Sequence, residues 1–157
     1  MKKLVIFDFD GTLTNNVNLS EIIYKKVSEK YGLKELSTDE LRQLKSFGSL
    51  TRILRLGVPF YSIPKLYRES RVIASEFVKL CSVLLGIKEL LLKLKDNDVD
   101  LAIVSSNSVL NINEFLLRNE LEVFSYIKGN ASMKGKKRIL KKLLKKNGYN
   151  PEDATYI

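Results

Sequence analysis

The 157 residues are 45% hydrophobic and 29% charged, the balance of a chain that folds around one core with room for a small inserted module. The 27 Lys and Arg residues exceed the 18 Asp and Glu residues, a formal net charge of +9, and there is no histidine. His-based triads and His-rich zinc sites are thereby excluded, and carboxylates and lysines must carry any chemistry.

One cysteine allows no internal disulfide and fits a reducing cytoplasm. Cys81 lies between Leu80 and Val83 and reads as a small core residue. The apolar run after Lys2 and Lys3 stops at Asp8, too short for a signal peptide, and no apolar run is long enough to span a bilayer. The basic clusters contain no Trp and are not interleaved with aromatic residues. The charge therefore reads as a Lys-rich composition suited to an anionic substrate rather than as a nucleic-acid platform.

Residues 4–8 are rich in β-branched and apolar side chains and predict a buried strand. The strand runs into Asp8-Phe9-Asp10-Gly11-Thr12-Leu13. Residues two apart on a strand point the same way, so Asp8 and Asp10 are delivered together at its carboxyl end, where open α/β sheets bind ligands. Asn15, Asn16 and Asn18 follow as turn and cap residues.

From about residue 18 to 80 the pattern is helical, with no strand signal. Asn18 with Glu21 and Ser37 with Glu40 have capping-box spacing. A first helix carries Leu19, Ile22, Ile23 and Val27 and stops near Gly32. A second carries Leu41 and Leu44 and ends at Gly48, and a third spans 50–56. Past Pro59 and Pro64 a longer helix bears Leu66, Ile73, Phe77 and Leu80.

At Gly86 the reading returns to alternating elements. A helix bears Ile87, Leu90, Leu91 and Leu94, and residues 99–105 form a buried strand. A helix over 109–119, a strand over 123–127 and a strongly basic helix over 136–147 follow, with Gly148 as its C-cap and a last strand from Ala154.

Asp8-Phe9-Asp10-Gly11-Thr12-Leu13 resembles the first motif of the haloacid dehalogenase-like superfamily, most of whose members are Mg²⁺-dependent phosphatases. The resemblance implies that Asp8 is a nucleophile forming an aspartyl-phosphate, and that Asp10 is the acid and then the base. Gly11 and Thr12 would help bind phosphate. Leu101-Ala102-Ile103-Val104-Ser105-Ser106-Asn107 resembles the second motif. The Ser105 hydroxyl would hold a phosphoryl oxygen, with Ser106 and Asn107 assisting and the following helix start adding N–H donors. Ser106, Asn107 and Ser108 are all suited also to plain helix capping. The third motif is a lysine offsetting phosphoryl charge. Lys136 is preferred, and Lys134 fits an alternative alignment and is placed at the phosphate.

The fourth motif, a pair of acids that completes the metal site, follows a strand like the one over 154–157. The chain is therefore expected to end before that motif, leaving Asp8 and Asp10 as metal ligands. The resemblance implies an α/β fold: a doubly wound parallel sheet with a Rossmann-like core over 1–17 and 86–157, and an inserted all-helical cap over 18–85. The implied activity is phosphoglycolate-phosphatase-like hydrolysis of a small phosphorylated metabolite with Mg²⁺. Two acids at this spacing argue against haloacid dehalogenation. A phosphomutase, or a non-catalytic domain binding a phosphorylated ligand or protein partner, are the alternative readings.

Overall fold

The computed structural model describes residues 2–15, 19–37, 39–40, 43, 58–131 and 135–157. They form two compact units, one made of residues 1–16 and 78–157, the other of residues 17–77. The predicted helix bearing Leu41 and Leu44, apart from Gln43, the predicted helix over 50–56, the Asn18 cap and Lys134 lie outside the described residues.

In the first unit, strands β1 (Leu4–Phe7), β4 (Asp100–Val104), β5 (Tyr126–Lys128) and β6 (Ala154–Tyr156) make one parallel sheet in the order β5-β4-β1-β6. Helix α3 (Ile87–Asp96) leads into β4, α4 (Val109–Arg118) links β4 to β5, and α5 (Lys136–Asn147) links β5 to β6. The chain builds outward from β1 through β4 to β5, then crosses back to lay β6 on the other side of β1. That reversal makes the carboxyl end of β1 the topological switch point, the place where such sheets open a crevice for ligands.

Alternation sorts the strand residues between the two faces. Leu4 and Ile6 of β1, with Ala102 and Val104 of β4, are buried beneath Ile139, Leu140, Leu143 and Leu144 of α5. Phe7 meets the Phe124 ring edge-on at 6.1 Å. Asp100 to Val104 are buried throughout, as expected of a parallel strand covered on both faces.

Three details differ from the sequence reading. The strand predicted over 123–127 pairs instead over Tyr126–Lys128, because Val123 and Phe124 are apolar for packing and not for the ladder. Thr14–Asn15 (β2) and Ser82–Val83 (β3), neither read as strand, pair antiparallel where the chain leaves and re-enters this unit. Each has two residues, too few for any periodicity to register. Both strands belong to the first compact unit, which resumes at residue 78. Gly148 caps α5 at φ 73°, as predicted.

In the second unit, α1 (Leu19–Tyr31) and α2 (Ile63–Val78) contribute Val27 and Leu66 to a cluster with Val58, flanked by Ile23, Tyr31, Ile63 and Ile73. The helix predicted to reach Leu80 ends at Val78, and Leu80 is exposed. Glu69 accepts hydrogen bonds from Lys30 at 2.9 Å and Tyr31 at 2.8 Å. The capping box of Ser37 and Glu40 is formed: Glu40 N–H donates to Ser37 Oγ at 3.3 Å, and Ser37 N–H donates to the Glu40 carboxylate at 2.8 Å.

Candidate active site

The first acidic loop is set by β1. Asp8 N–H donates to Ile157 O at 2.8 Å, so the β1–β6 ladder continues to the residue that carries the carboxylate. Phe9 points away from the two acids into the core, fully buried and edge-on to Phe115 of α4 at 5.1 Å. The chain then turns sharply around one carbonyl: Phe9 O accepts from Leu13 N–H at 3.1 Å, Thr14 N–H at 3.2 Å and the buried Thr14 hydroxyl at 3.3 Å. Gly11, at φ 78°, supplies the left-handed residue this turn requires. Asp8 and Asp10 are left on the open side, both partly exposed.

Lys136, the first residue of α5, reaches across to this loop. Its ammonium is ion-paired to Asp8 Oδ2 and donates to Tyr156 Oη at 2.9 Å. The other Asp8 oxygen accepts from Phe9 N–H at 2.8 Å. Lys136 keeps 19% and Asp8 29% of their side-chain surface in solvent, so the pair sits in a crevice and not on an open face. Burial works against the Lys136 charge. The hydrogen bonds to Asp8 and Tyr156, with the Asp8 charge, outweigh it and hold the ammonium above the usual lysine range.

The loop after β4 forms the second wall. Ser105 is fully buried; its N–H donates to Lys128 O at 2.9 Å and its hydroxyl accepts from Asn107 N–H at 3.1 Å. Ser108 caps α4 by accepting from Asn111 N–H at 3.1 Å. The side-chain amide of Asn107 donates to both oxygens of Asp10, at 3.1 and 3.3 Å. Gly129 makes this wall possible. A Cβ there would lie 2.6 Å from both Asn107 O and Val109 N, so only glycine lets β5 pass this close to the loop.

A match to the haloacid dehalogenase-like hydrolase family spans residues 5–157. The chain belongs to this family. It is 27% identical over 154 residues to the phosphoglycolate phosphatase of Synechococcus elongatus, covering 98% of this chain and 73% of that protein. Its fold is similar to that of CbbY from Rhodobacter sphaeroides, solved in complex with phosphate, with a TM-score of 0.77 at 20% identity over 99% of this chain and 77% of that one. It is similar also to the haloacid dehalogenase-like protein SP0104 from Streptococcus pneumoniae, with a TM-score of 0.81 at 16% identity over 99% and 74% of the two chains.

Within this family framework the structure brings together Asp8 with Lys136, Asp10 with Asn107, and Asn107 with Ser105. Gly11 and Thr12 lie in the turn between the acids and β2, and Ser106 is exposed on the second loop. Cys81 is buried as expected. Burial and the nearby Asp10 charge push its thiol up, Arg118 pulling the other way, which makes it a poor nucleophile. Tyr156, Asn111 and Gly129 were not singled out from sequence. The glycine between Lys128 and Asn130 at a strand end was the one visible sign of a close approach.

No three Asp, Glu, His or Cys side chains converge among the described residues. The donors on the first loop are hard oxygens, the Asp8 carboxylate and the Asp10 backbone carbonyl. That chemistry suits a small divalent cation held by one or two carboxylates together with water and substrate phosphate. No described helix is long and apolar enough to cross a membrane.

Proposed function

We propose that the protein is a phosphatase that hydrolyses a small phosphomonoester of the phosphoglycolate type through a covalent phosphoryl-Asp8. The observation that carries this reading is the Lys136–Asp8 ion pair at the carboxyl end of β1, with Asp10 on the same loop. A carboxylate at a switch point, paired with a fixed cation and followed two residues on by a second carboxyl, provides a nucleophile, charge neutralisation and a proton carrier.

In this reading Asp8 attacks phosphorus in line with the ester oxygen. The P–O ester bond breaks as Asp10 gives its proton to the leaving alkoxide. Asp10 then takes a proton from the water that attacks phosphoryl-Asp8, which releases inorganic phosphate and restores both carboxyl groups. Lys136 balances charge between Asp8 and the phosphoryl oxygens, while Ser105, fully buried, supports the second wall by accepting from Asn107 N–H and does not itself face a phosphoryl oxygen. The residues that would hold Mg²⁺ are Asp8, through its carboxylate, and Asp10, through its backbone carbonyl. When bound, that ion supplies positive charge against the phosphoryl oxygens.

The test is hydrolysis of p-nitrophenyl phosphate and of phosphoglycolate, with Mg²⁺ and with a chelator. Phosphate release is expected with Mg²⁺ and not with the chelator, and Asp8→Asn is expected to lower kcat by about 10³-fold or more. Undiminished turnover by Asp8→Asn would refute the nucleophile assignment.

A further inference from the structure

We propose that Asn107 is a positioning residue that holds the Asp10 carboxyl in its working orientation, and not a ligand of the substrate phosphate. The inference rests on the phosphoryl-transfer reading of Asp10 given above. Each polar atom of Asn107 is engaged. Its N–H donates to Ser105 Oγ at 3.1 Å, and its carbonyl accepts from Asn130 N–H at 2.7 Å. Its side-chain Oδ1 accepts from Ser108 N–H at 2.8 Å and from Asn111 Nδ2 at 2.9 Å. Its Nδ2 is the atom given to Asp10.

The two donors on Oδ1 decide which way the amide faces. Flipping it would turn the NH₂ group onto a backbone N–H and another amide NH₂, donor against donor, and would aim the oxygen at a carboxylate. The Asn107 side chain therefore has one orientation, fixed by the capped first turn of α4. Asn111 is itself buried, at the third position of that helix, and acts as the brace.

What this wiring does for Asp10 follows from geometry. The second acid lies past β1 on a turn, beyond the last ladder hydrogen bond at Asp8. Its carboxyl needs an external partner to stay aligned with a leaving oxygen, and Asn107 provides one from a rigid helix start. The amide is uncharged, so it can hold the group while a proton is on it and after the proton has left. Small displacements of a reacting group cost up to about 10²-fold in rate, which is the scale on which such a partner matters.

The test compares Asn107→Ala and Asn111→Ala with wild type in phosphatase assays, with inhibition by inorganic phosphate as the measure of phosphate binding. Asn107→Ala is expected to lower kcat by about 10- to 50-fold, with KM and the phosphate inhibition constant changed by less than about 2-fold. Asn111→Ala is expected to lower kcat by about 3- to 10-fold with the same split. In an Asp10→Asn background, Asn107→Ala is expected to change residual turnover by less than about 2-fold, because its route of action is gone.

Weakened phosphate inhibition with kcat retained would overturn the proposal and make Asn107 a phosphate ligand. A full additional loss in the Asp10→Asn background would overturn it also. One readout needs no turnover: the Asn107 side-chain NH₂ resonance should shift in Asp10→Ala, and an unchanged resonance refutes the contact. Activity that persists in Asp8→Asn would instead sink the phosphoryl-transfer reading, and leave the Asn107–Asp10 contact to the resonance measurement.

Discussion

The same three side-chain types, Asp, Lys and Tyr, meet at both ends of the parallel sheet, wired in opposite ways. At the amino end of β4, Asp100 is the hub. Lys2 pairs with it at 2.9 Å, and Tyr149 donates to its Oδ2. At the carboxyl end of β1, Lys136 is the hub, and it divides its donors between Asp8 and Tyr156. Asp100 keeps 13% of its side-chain surface exposed and Asp8 keeps 29%.

The electrostatics follow the wiring. Burial alone would raise the Asp100 carboxyl, but the hydrogen bonds from Tyr149 and Lys2 outweigh it and hold the carboxyl below its usual range. Tyr149 is pushed well above the ordinary phenol range by burial and by the same carboxylate. A hub acid with its partners gathered around it is a fastener between the chain start, β4 and the segment after α5. At the other end the cation is the hub and the acid stays at the crevice edge, a geometry that leaves the carboxylate able to meet a substrate.

Substitutions can break this comparison in both directions. The largest effect expected is at the carboxyl end: Lys136→Met should lower kcat/KM for an aryl phosphate by about 10²- to 10³-fold while the melting temperature changes little. At the amino end the expected cost is stability. Tyr149→Phe should reduce the unfolding free energy by about 1–2 kcal/mol, measured by urea titration, with kcat unchanged.

That deficit should depend on pH. The folded Asp100 carboxyl titrates below its unfolded value of about 4, so it stabilises the fold above that pH, and the contribution fades as the pH falls through the folded value. The difference between wild type and Tyr149→Phe should shrink from pH 7 toward pH 3, and a constant difference would contradict the assignment. The smallest effect is expected for Tyr156→Phe, within about 5-fold in kcat/KM, since Tyr156 is exposed and Lys136 keeps its Asp8 partner.

What was legible in the sequence is what local pattern encodes. Apolar alternation with Phe9 between two acids announced a strand that turns one side chain inward and two outward. The parallel strands and their helices followed from periodicity, and Lys136 was placed at the site over its competitor Lys134 by resemblance. The short β2–β3 pair was not legible, because two-residue strands carry no period. The onset of β5 was misplaced, because Val123 and Phe124 are apolar without pairing. Nor could the sequence reveal that Asn107 is aimed at Asp10, 97 residues away. That contact depends on the adjacency of β1 and β4 and on Gly129, whose missing side chain lets the loop close. The sequence reads Asn107 as a phosphate contact, and only the folded structure shows where its side-chain amide is held.

The central claim is that Asp8 accepts the phosphoryl group. Acid-quenching a reaction with p-nitrophenyl phosphate and Mg²⁺ within the first turnover, then mapping the peptides by mass spectrometry, tests it most directly. A phosphoryl adduct on the peptide carrying Asp8, lost in Asp8→Asn together with turnover, is the predicted result. Turnover with no adduct at Asp8, undiminished in Asp8→Asn, would contradict it.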